Sequence, residues 1–377
     1  MYILKQYDYD LAYFDMYYDN QGFRIENLKF NDEYRYLLPL NLKQDEEGLT
    51  KWLKNRSVPK NREFVDKFLS KLGLNHNNTK GVIDICKGLS LNDSYWVSND
   101  DFHKTFKECN LYENRFSNIL GLIAFTGYGS SIKTPFLSSP ELTTNGMLAK
   151  CWRRIDGKIY LYKAGTNGYA NSGLEPYSEY YASQIAKVLG VNHVDYNLSK
   201  WKGKLCSVCE LFNDSSTSYI PIGYLVEKGG VNSVIKYLKS LGDDFYNDFL
   251  DMILLDAIIV NTDRHYGNFG LIIDNKTNKP LRFAPLFDHG ASLFVYGMDN
   301  DEFLNLDNLL EYSKTRNAVM YDDFVNFAKE YLTKEHLQKA RKLINFKFEK
   351  HSKYNLNSKR LKLIEEFIQI RIRELME

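Results

Sequence analysis

The sequence predicts an α+β fold with two lobes, the first rich in β-strands and the second largely helical. Three observations predict it. Residues 158–163 alternate in polarity as a strand does. Residues 245–260 are apolar nearly all round, which is typical of a buried helix. Two apolar runs, 269–273 and 281–287, flank a polar turn at 274–279, and this arrangement predicts a β-hairpin.

Composition limits the classes of partner and compartment. The 377 residues carry 49 Lys and Arg against 48 Asp and Glu, so a net charge of +1 gives no general attraction to nucleic acid or to an anionic membrane. No apolar run approaches the roughly 20 residues of a membrane-spanning helix. The N-terminus shows no signal-peptide pattern, and five cysteines, an odd number, fit a reducing compartment. We therefore expect a cytoplasmic protein without a membrane partner, and we find no direct signal for nucleic-acid binding.

A polar loop follows the apolar helix directly and reads Asn261-Thr-Asp-Arg-His-Tyr-Gly-Asn268. Phosphoryl transfer needs one carboxylate to orient the acceptor hydroxyl, and an amide oxygen with a second carboxylate to hold Mg²⁺. Asp263 and Asn268 supply the first carboxylate and the amide, and Asp288 follows the hairpin as the second carboxylate. The order helix, loop, hairpin and Asp favours this interpretation over two ordinary polar loops around a hairpin.

The loop motif resembles a known family. Asn261-Thr-Asp-x-His-x-x-Asn268 resembles the catalytic loop of HipA-like Ser/Thr kinases, the toxin components of bacterial toxin–antitoxin pairs. Its second half is also similar to the catalytic loop of phosphoinositide kinases, which share the distant protein-kinase-like fold. The resemblance implies that Asp263 is the catalytic base, that Asn268 and Asp288 bind Mg²⁺, and that ATP is the phosphate donor. It also implies that His265 supports the loop, and we expect that role to be structural.

The nucleotide half of such a site is expected upstream. Lys163 ends the apolar face of the strand at 158–163, and a helix is predicted from Pro176 to Gly190. Glu179 lies at the edge of the apolar stripe of this helix. In kinases a strand Lys paired with a helix Glu is aimed at the α- and β-phosphates. The alternative for Glu179 is a solvated first-turn residue favoured by the helix dipole.

A Thr- and Gly-containing segment, 138–150, precedes that strand. Gly146 with Lys150 resembles the phosphate-covering loop of HipA-like kinases, where backbone N–H groups lie near the phosphates. The alternative is a simple turn entering a hairpin with its tip at Asp156-Gly157. In the family this loop can be autophosphorylated, and the available hydroxyls are those of Ser139, Thr143 and Thr144.

Residues 205–212 read as a strand that enters a polar loop. In the kinase layout this is the hinge, where backbone groups near Glu210 and Phe212 would hydrogen-bond adenine. Cys206 and Cys209 form a Cys-x-x-Cys pair, but a structural zinc site needs four ligands and the other three cysteines are scattered. We therefore expect two packed thiols.

Other features remain open at this point. Arg264 either pairs with a carboxylate to rigidify the loop or contacts substrate. His289 follows Asp288 where protein kinases have the Phe of Asp-Phe-Gly, which leaves the metal role intact but puts regulation by a moving Phe in doubt. The stretch 52–62 is basic and amphipathic, and we interpret it as a solvated helix end.

The predicted organisation has three parts: an N-terminal extension of unknown role at 1–130, a nucleotide-binding N-lobe at 131–228, and a helical C-lobe with the catalytic loop at 229–377, which closes with an amphipathic helix at 361–376. The motifs that carry the resemblance cover about 140–295. The predicted function is an ATP- and Mg²⁺-dependent Ser/Thr protein kinase, with a protein substrate and, by the resemblance, an antitoxin partner. The alternatives are a phosphoinositide or small-molecule kinase, and a non-catalytic module that binds a partner or DNA.

Overall fold

The computed structural model describes residues 1–167, 173–296 and 305–377. Its strands are β1 (Tyr2–Gln6), β2 (Tyr9–Asp19), β3 (Gly22–Phe30), β4 (Tyr95–Asn99), β5 (Lys150–Ile155), β6 (Lys158–Ala164), β7 (Asn197–Trp201), β8 (Lys204–Glu210), β9 (Thr217–Pro221), β10 (Gly270–Asp274) and β11 (Lys279–Phe283). Its α-helices are α1 (Glu46–Asn55), α2 (Val65–Ser70), α3 (Thr79–Cys86), α4 (Phe106–Cys109), α5 (Asn118–Thr126), α6 (Glu175–Leu189), α7 (Ile222–Leu225), α8 (Gly230–Leu241), α9 (Asp243–Ile259), α10 (Leu306–Thr315), α11 (Phe324–Tyr331), α12 (Lys334–Arg341) and α13 (Ser358–Met376). The short segments Asp32–Leu37 and Pro140–Leu142 are 3-10 helices. The predicted α+β class is confirmed.

The helices and strands predicted from the sequence are present, but one predicted strand is too long. Helices α6, α9 and α13 cover the three predicted helices, and β6 covers the predicted strand. The second hairpin strand was expected at 281–287, but β11 ends at Phe283. The reason is that the next residues pair elsewhere: the Leu286 backbone exchanges hydrogen bonds with Asn192 (2.8 Å) and Val194 (2.9 Å).

The chain divides into two compact units. Unit 1 comprises residues 1–162, 211–220 and 272–281, and unit 2 comprises residues 163–210, 221–271 and 282–377. The two units are defined by how the chain packs. The boundaries predicted near residues 130 and 228 separate parts with different expected roles, which packing does not test, so they stay a prediction.

Unit 1 is built around an antiparallel sheet with the strand order β3-β2-β1-β4. Helix α1 packs against β3, and its Trp52 and Leu53 join the buried side chains of Leu4, Leu11 and Phe14 from the sheet in one apolar core. The N-terminal extension is therefore a folded structure with its own core. In the same unit, β5 and β6 meet at the predicted tip, where both residues of the Asp156-Gly157 turn have a positive φ.

The interpretation of 52–62 as a solvated helix end is wrong, because its arginines are buried in unit 1. Arg56 donates to the Gly88 carbonyl (2.7 and 2.9 Å) and to both carboxylate oxygens of Asp93 (2.7 and 2.9 Å). Arg62 pairs with buried Glu141 at 3.0 Å. A guanidinium can be buried when its donors meet carboxylate and carbonyl oxygens in this way, which a helical charge pattern does not show.

Unit 2 contains the C-terminal end of β6, followed across the sheet by β8 and β7. Helix α6 packs against β8, and α9 packs against α8, α11, α12 and α13. From Phe249 to Ile259 every residue of α9 is buried, as its apolar sequence predicts. Within the described residues, no helix combines the length and the apolar character needed to cross a membrane.

Candidate active site

The polar loop begins where α9 is stopped by an unusual backbone conformation. Val260 has φ 54° and ψ 59°, in the left-handed region that β-branched residues rarely occupy. The chain turns there, and buried Asn261 donates from its side-chain amide to the Asp256 carboxylate (3.2 Å) and to the Asp288 carbonyl (3.4 Å). The start of the loop is thus tied both to α9 and to the segment that carries the second predicted metal ligand.

Arg264 is fully buried and holds the loop together. Its Nε and Nη2 donate to the two oxygens of Asp256, at 2.8 and 3.0 Å. Its Nη1 donates to the carbonyls of Asn268 (2.7 Å) and Phe287 (3.1 Å). The remaining Nη2 N–H faces His289 Nδ1 at 3.5 Å. Of the two alternatives left open for Arg264, the structure shows the pairing with a carboxylate, because all five N–H groups of this buried guanidinium are directed at protein atoms.

The Asp256 carboxylate is saturated with donors. Besides Arg264 and Asn261, it accepts a hydrogen bond from the hydroxyl of buried Tyr321 at 2.6 Å. Two donors on each oxygen fill the acceptor capacity of a carboxylate, which is the condition for burying an ion pair at acceptable cost. We call Asp256, Arg264 and Tyr321 the loop network.

The loop presents Asp263 outward and Asn268 inward. Asp263 is exposed, whereas the Asn268 amide nitrogen donates to the Asp263 carbonyl at 2.9 Å. The surrounding protein partly shields the Asp263 carboxylate from water. This desolvation is the larger cause, and the negative charge of Asp288 the next, of a pKa of Asp263 above its ordinary value. His265 Nδ1 accepts from the Gly267 N–H at 3.0 Å, a contact that shapes the loop.

Lys163 lies between two carboxylates from different elements of unit 2. Its ammonium contacts Glu179 Oε1 of α6 at 2.8 Å and also contacts the Asp288 carboxylate. Burial by itself lowers the pKa of Lys163, but the charges of Asp288 and Glu179 outweigh it and raise the pKa above its usual range. Glu179 is fully buried and also accepts from the His289 N–H at 3.0 Å, so the solvated alternative for Glu179 is wrong.

Asp288 itself is held in a strained backbone conformation. Asp288 has φ 59°, which a non-glycine residue adopts at a cost of about 1 kcal/mol or more. Its N–H donates to the Tyr196 hydroxyl at 3.2 Å. Burial and the positive charge of Arg264 hold the pKa of His289 well below its usual value, so this imidazole is neutral. The middle residue of Asp-His-Gly is therefore a packed side chain.

Two oxygen donors in this arrangement suit a divalent cation that also binds phosphates. Asn268 is fixed through its Nδ2, and among the described residues no partner is found for its Oδ1. Asp288 already contacts a cation, the Lys163 ammonium. In the described parts of the chain, no three or more His, Cys, Asp or Glu side chains are grouped so that they could hold a metal ion by themselves. Mg²⁺ is commonly held by one or two protein oxygens together with substrate phosphates, so Asn268 and Asp288 fit this ion.

The other predicted nucleotide residues lie partly in unit 1. Gly146 has φ +94°, where a side chain is strained, and a Cβ at this position would lie 2.2 Å from the Lys150 ammonium and would displace it. Lys150 is buried and donates to the Asn145 carbonyl at 2.9 Å. Arg62 holds the same segment through the carbonyls of Glu141 (2.9 Å) and Lys150 (2.7 Å). Contact of Gly146 and Lys150 with phosphate stays a prediction.

The hydroxyls considered for autophosphorylation are not freely presented. Ser139 and Thr143 are buried, and the Thr143 hydroxyl donates to the Leu89 carbonyl at 2.8 Å. Thr144 is partly buried and its hydroxyl donates to the Pro140 carbonyl at 2.7 Å. Phosphorylation of these residues requires the segment to open.

The expected hinge residues end up in different units. Glu210 ends β8 in unit 2 and is exposed, whereas Phe212 is partly buried in unit 1 and packs edge-on against Tyr219. Cys206 is buried and Cys209 partly buried, and both are free thiols. Burial raises the pKa of Cys209 to about 12, which fits a packed thiol rather than a reactive thiolate.

Sequence reasoning missed Asp256, Tyr196 and Tyr321. Asp256 had a visible signal, since it is a carboxylate flanked on both sides by apolar residues of α9, 252–255 and 257–259, where an unpaired charge could not be buried. The tyrosines had none, because the chain holds 28 tyrosines and nothing local distinguishes these two.

Known proteins were compared with the whole chain. No family model matches the chain. Over 142 residues it is 29% identical to the serine/threonine-protein kinase CtkA of Helicobacter pylori, a match that covers 33% of this chain and 42% of CtkA. This chain thus matches less than half the length of that relative.

Two solved structures are similar in fold. One is the HipA, HipB and operator DNA complex of the Shewanella oneidensis MR-1 toxin–antitoxin system, with a TM-score of 0.56, 11% identity, and 100% of this chain and 96% of that chain covered. The other is the H. pylori proinflammatory kinase CtkA, with a TM-score of 0.47, 18% identity, and 60% of this chain and 90% of that chain covered. The chain has the fold of HipA, and the predicted resemblance to HipA-like kinases is confirmed.

Proposed function

We propose that this chain, with its HipA-like fold, is an ATP- and Mg²⁺-dependent Ser/Thr protein kinase. The observation that carries the proposal is the Lys163 ammonium bound between Glu179 and Asp288, in the same unit as Asp263 and Asn268. These are the side chains that phosphoryl transfer requires, and they come from a strand, a helix, a loop and the segment after a hairpin.

In the proposed reaction each residue has one task. Lys163, oriented by Glu179, binds the α- and β-phosphates of ATP. Asn268 and Asp288 hold Mg²⁺, which when bound neutralises phosphate charge. Asp263 orients the acceptor hydroxyl and takes up its proton as the hydroxyl oxygen bonds to the γ-phosphorus and ADP leaves. Its raised pKa brings it closer to the working pH, which favours a general base.

A protein acceptor is proposed from the relative at 29% identity, which is named a serine/threonine-protein kinase. An antitoxin-type partner is proposed from the Shewanella structure, whose chains include HipB. Both rest on likeness and need direct tests. Gly146, Lys150, Glu210 and Phe212 complete the proposed nucleotide site, and Ser139, Thr143 and Thr144 are proposed self-acceptors once their segment opens.

The test is incubation of the full chain with ATP and Mg²⁺, followed by intact-mass measurement and peptide mapping. The variants are Asp263→Asn and Asp288→Asn, and the control is Asp195→Asn, whose carboxylate is 87% exposed. We expect phosphate on Ser or Thr in the parent and the control only, either on the chain itself or on an added protein substrate.

Two other outcomes redirect the proposal. Nucleotide binding that needs Mg²⁺ and Asp288, without phosphate on any protein, would contradict the protein-kinase assignment and favour a phosphoinositide or small-molecule acceptor. Neither phosphate transfer nor nucleotide binding would refute the enzyme assignment and leave a module that binds a partner or DNA.

A further inference from the structure

Asp288 lies in a segment of unit 2 that is paired with the segment joining α6 to β7. The Leu286 N–H donates to the Asn192 carbonyl (2.8 Å), and the Val194 N–H donates to the Leu286 carbonyl (2.9 Å). Two residues further along, a side chain takes the place of the backbone, and the Asp288 N–H donates to the Tyr196 hydroxyl at 3.2 Å. Tyr196 therefore continues this pairing up to the proposed metal ligand.

A side chain takes over at this point because Asp288 leaves the extended conformation. With φ 59° its backbone turns, so its peptide groups cannot continue the pairing of extended strands. Two further side chains bond these groups beside the Tyr196 hydroxyl: the Asn261 amide donates to the Asp288 carbonyl (3.4 Å), and the following N–H, that of His289, donates to Glu179 (3.0 Å). Side chains from three parts of the chain thus fix one strained residue.

The Tyr196 hydroxyl is protonated and has a fixed orientation. Burial, and then the negative charge of Glu179, raise the pKa of Tyr196 well above its ordinary value, so the phenol keeps its proton. The hydroxyl is within reach of the Cys209 thiol: burial raises the pKa of Cys209, and a hydrogen bond from Tyr196 opposes this effect. The ring packs edge-on against His289, with 6.3 Å between the ring centroids. With its proton directed at the thiol, the hydroxyl oxygen accepts from the Asp288 N–H.

We propose that Tyr196 is a positioning residue that makes the site selective for Mg²⁺, since it holds Asp288 at a fixed place in its strained conformation. This inference rests on the proposed role of Asp288 as a metal ligand. Mg²⁺ demands near-ideal octahedral geometry, whereas Ca²⁺ accepts about six to eight oxygens in flexible geometry. Loss of the hydroxyl therefore weakens the binding of Mg²⁺ more than that of Ca²⁺. A tyrosine that only packed would affect both ions alike.

The test compares Tyr196→Phe with the parent in the full chain, by calorimetry of ATP binding in Mg²⁺ and in Ca²⁺. We expect the Kd for ATP to rise at least about fivefold in Mg²⁺, the factor that corresponds to one hydrogen bond, and less than about twofold in Ca²⁺. The matched control is Tyr181→Phe, which removes a hydroxyl that donates to Asn355 at 2.8 Å elsewhere in unit 2. The control should leave the ratio of the two Kd values unchanged.

Hydrogen exchange of the Asp288 N–H, without metal or nucleotide, gives a second readout that does not depend on ligand binding. Mass spectrometry of a peptide spanning 284–290 follows this amide. Exchange should be at least about fivefold faster in Tyr196→Phe, because the N–H loses its acceptor, and unchanged in Tyr181→Phe.

The outcomes separate this inference from the proposed kinase activity. Equal weakening in both ions, unchanged affinity in Mg²⁺, or unchanged exchange at Asp288 overturns the inference, even in a chain that transfers phosphate. Weakening confined to Mg²⁺, together with faster exchange, supports it, even in a chain that phosphorylates no protein. A parent that binds ATP with neither ion overturns the metal role of Asp288 and this inference with it.

Discussion

Replacement of Arg264 by Met tests whether the loop network both stabilises unit 2 and positions the proposed metal ligands. The substitution leaves the fully buried Asp256 carboxylate with Asn261 and Tyr321 as its remaining donors. Loss of one partner of a buried ion pair costs about 3–5 kcal/mol, so the unfolding equilibrium should shift by about two to four powers of ten. Two carbonyls also lose their donor, those of Asn268 and Phe287.

Urea unfolding followed by tryptophan fluorescence measures the free energy, with Arg341→Met as the matched control at an exposed arginine. The control should change the free energy of unfolding by less than about 0.5 kcal/mol. The triple variant Asp256→Leu, Arg264→Met, Tyr321→Phe removes both charges and the hydroxyl that would be left unpaired. It should therefore recover most of the stability, because an apolar replacement of a buried ion pair is often neutral or better.

Phosphoryl transfer should not recover with the stability. In the parent, Arg264 bridges the carbonyls of Asn268 and Phe287, and the triple variant lacks this bridge. The distance between the proposed metal ligands Asn268 and Asp288 is then no longer fixed. The expected result is a stable protein with weakened Mg²⁺-dependent ATP binding. A cost below about 1 kcal/mol for Arg264→Met, or full activity in the triple variant, would refute the reasoning.

Three further predictions concern single residues. Asp263→Asn should lower kcat by about 10²- to 10⁴-fold with ATP binding retained in calorimetry. In the parent the rate should fall on acidification at a pH above that of an ordinary Asp, since partial desolvation by the surrounding protein and the negative charge of Asp288 raise the pKa of Asp263. An unchanged kcat would remove it from the reaction. Burial raises the pKa of Asp248 to about 6, so its protonated form stabilises the native state below about pH 4 and that contribution is lost as pH rises through 6. Asp248→Asn should therefore melt higher than the parent above pH 6, with the difference vanishing at pH 4, and a difference independent of pH would contradict this. Gly146→Ala and Gly157→Ala both place a Cβ at positive φ and should each cost about 1–2 kcal/mol in thermal unfolding, but only the first displaces the Lys150 ammonium and should raise the KM for ATP.

The candidate site was predictable where its signals are local. Asp263 and Asn268 lie in one short loop after a recognisable helix, and Asp288 follows a recognisable hairpin. The pairing of Lys163 with Glu179 was predictable from a strand followed by a helix. In each case a short segment with strong periodicity fixes where the side chain lies.

The rest depends on contacts between distant parts of the sequence. Tyr321 lies 65 residues after the carboxylate to which it donates. The sheet of unit 1 pairs β1 with β4, whose residues Tyr2 and Asn99 are partners although 97 positions separate them. Arg56 and Arg62 are indistinguishable in sequence from solvated arginines, because their partners come from later segments. Local patterns carry no information on such pairings.

The contact of Lys163 with two carboxylates has a consequence for the order in which reactants arrive. Of the charged groups proposed to meet the nucleotide in unit 2, Lys163 is the one cation, against the anions Glu179, Asp288 and Asp263, while Arg264 is already balanced by its partner in α9. A bare triphosphate would therefore enter a region of net negative charge and be repelled. We expect free ATP to compete poorly, the metal–nucleotide complex to be the species that binds, and excess chelator to abolish nucleotide affinity rather than turnover alone.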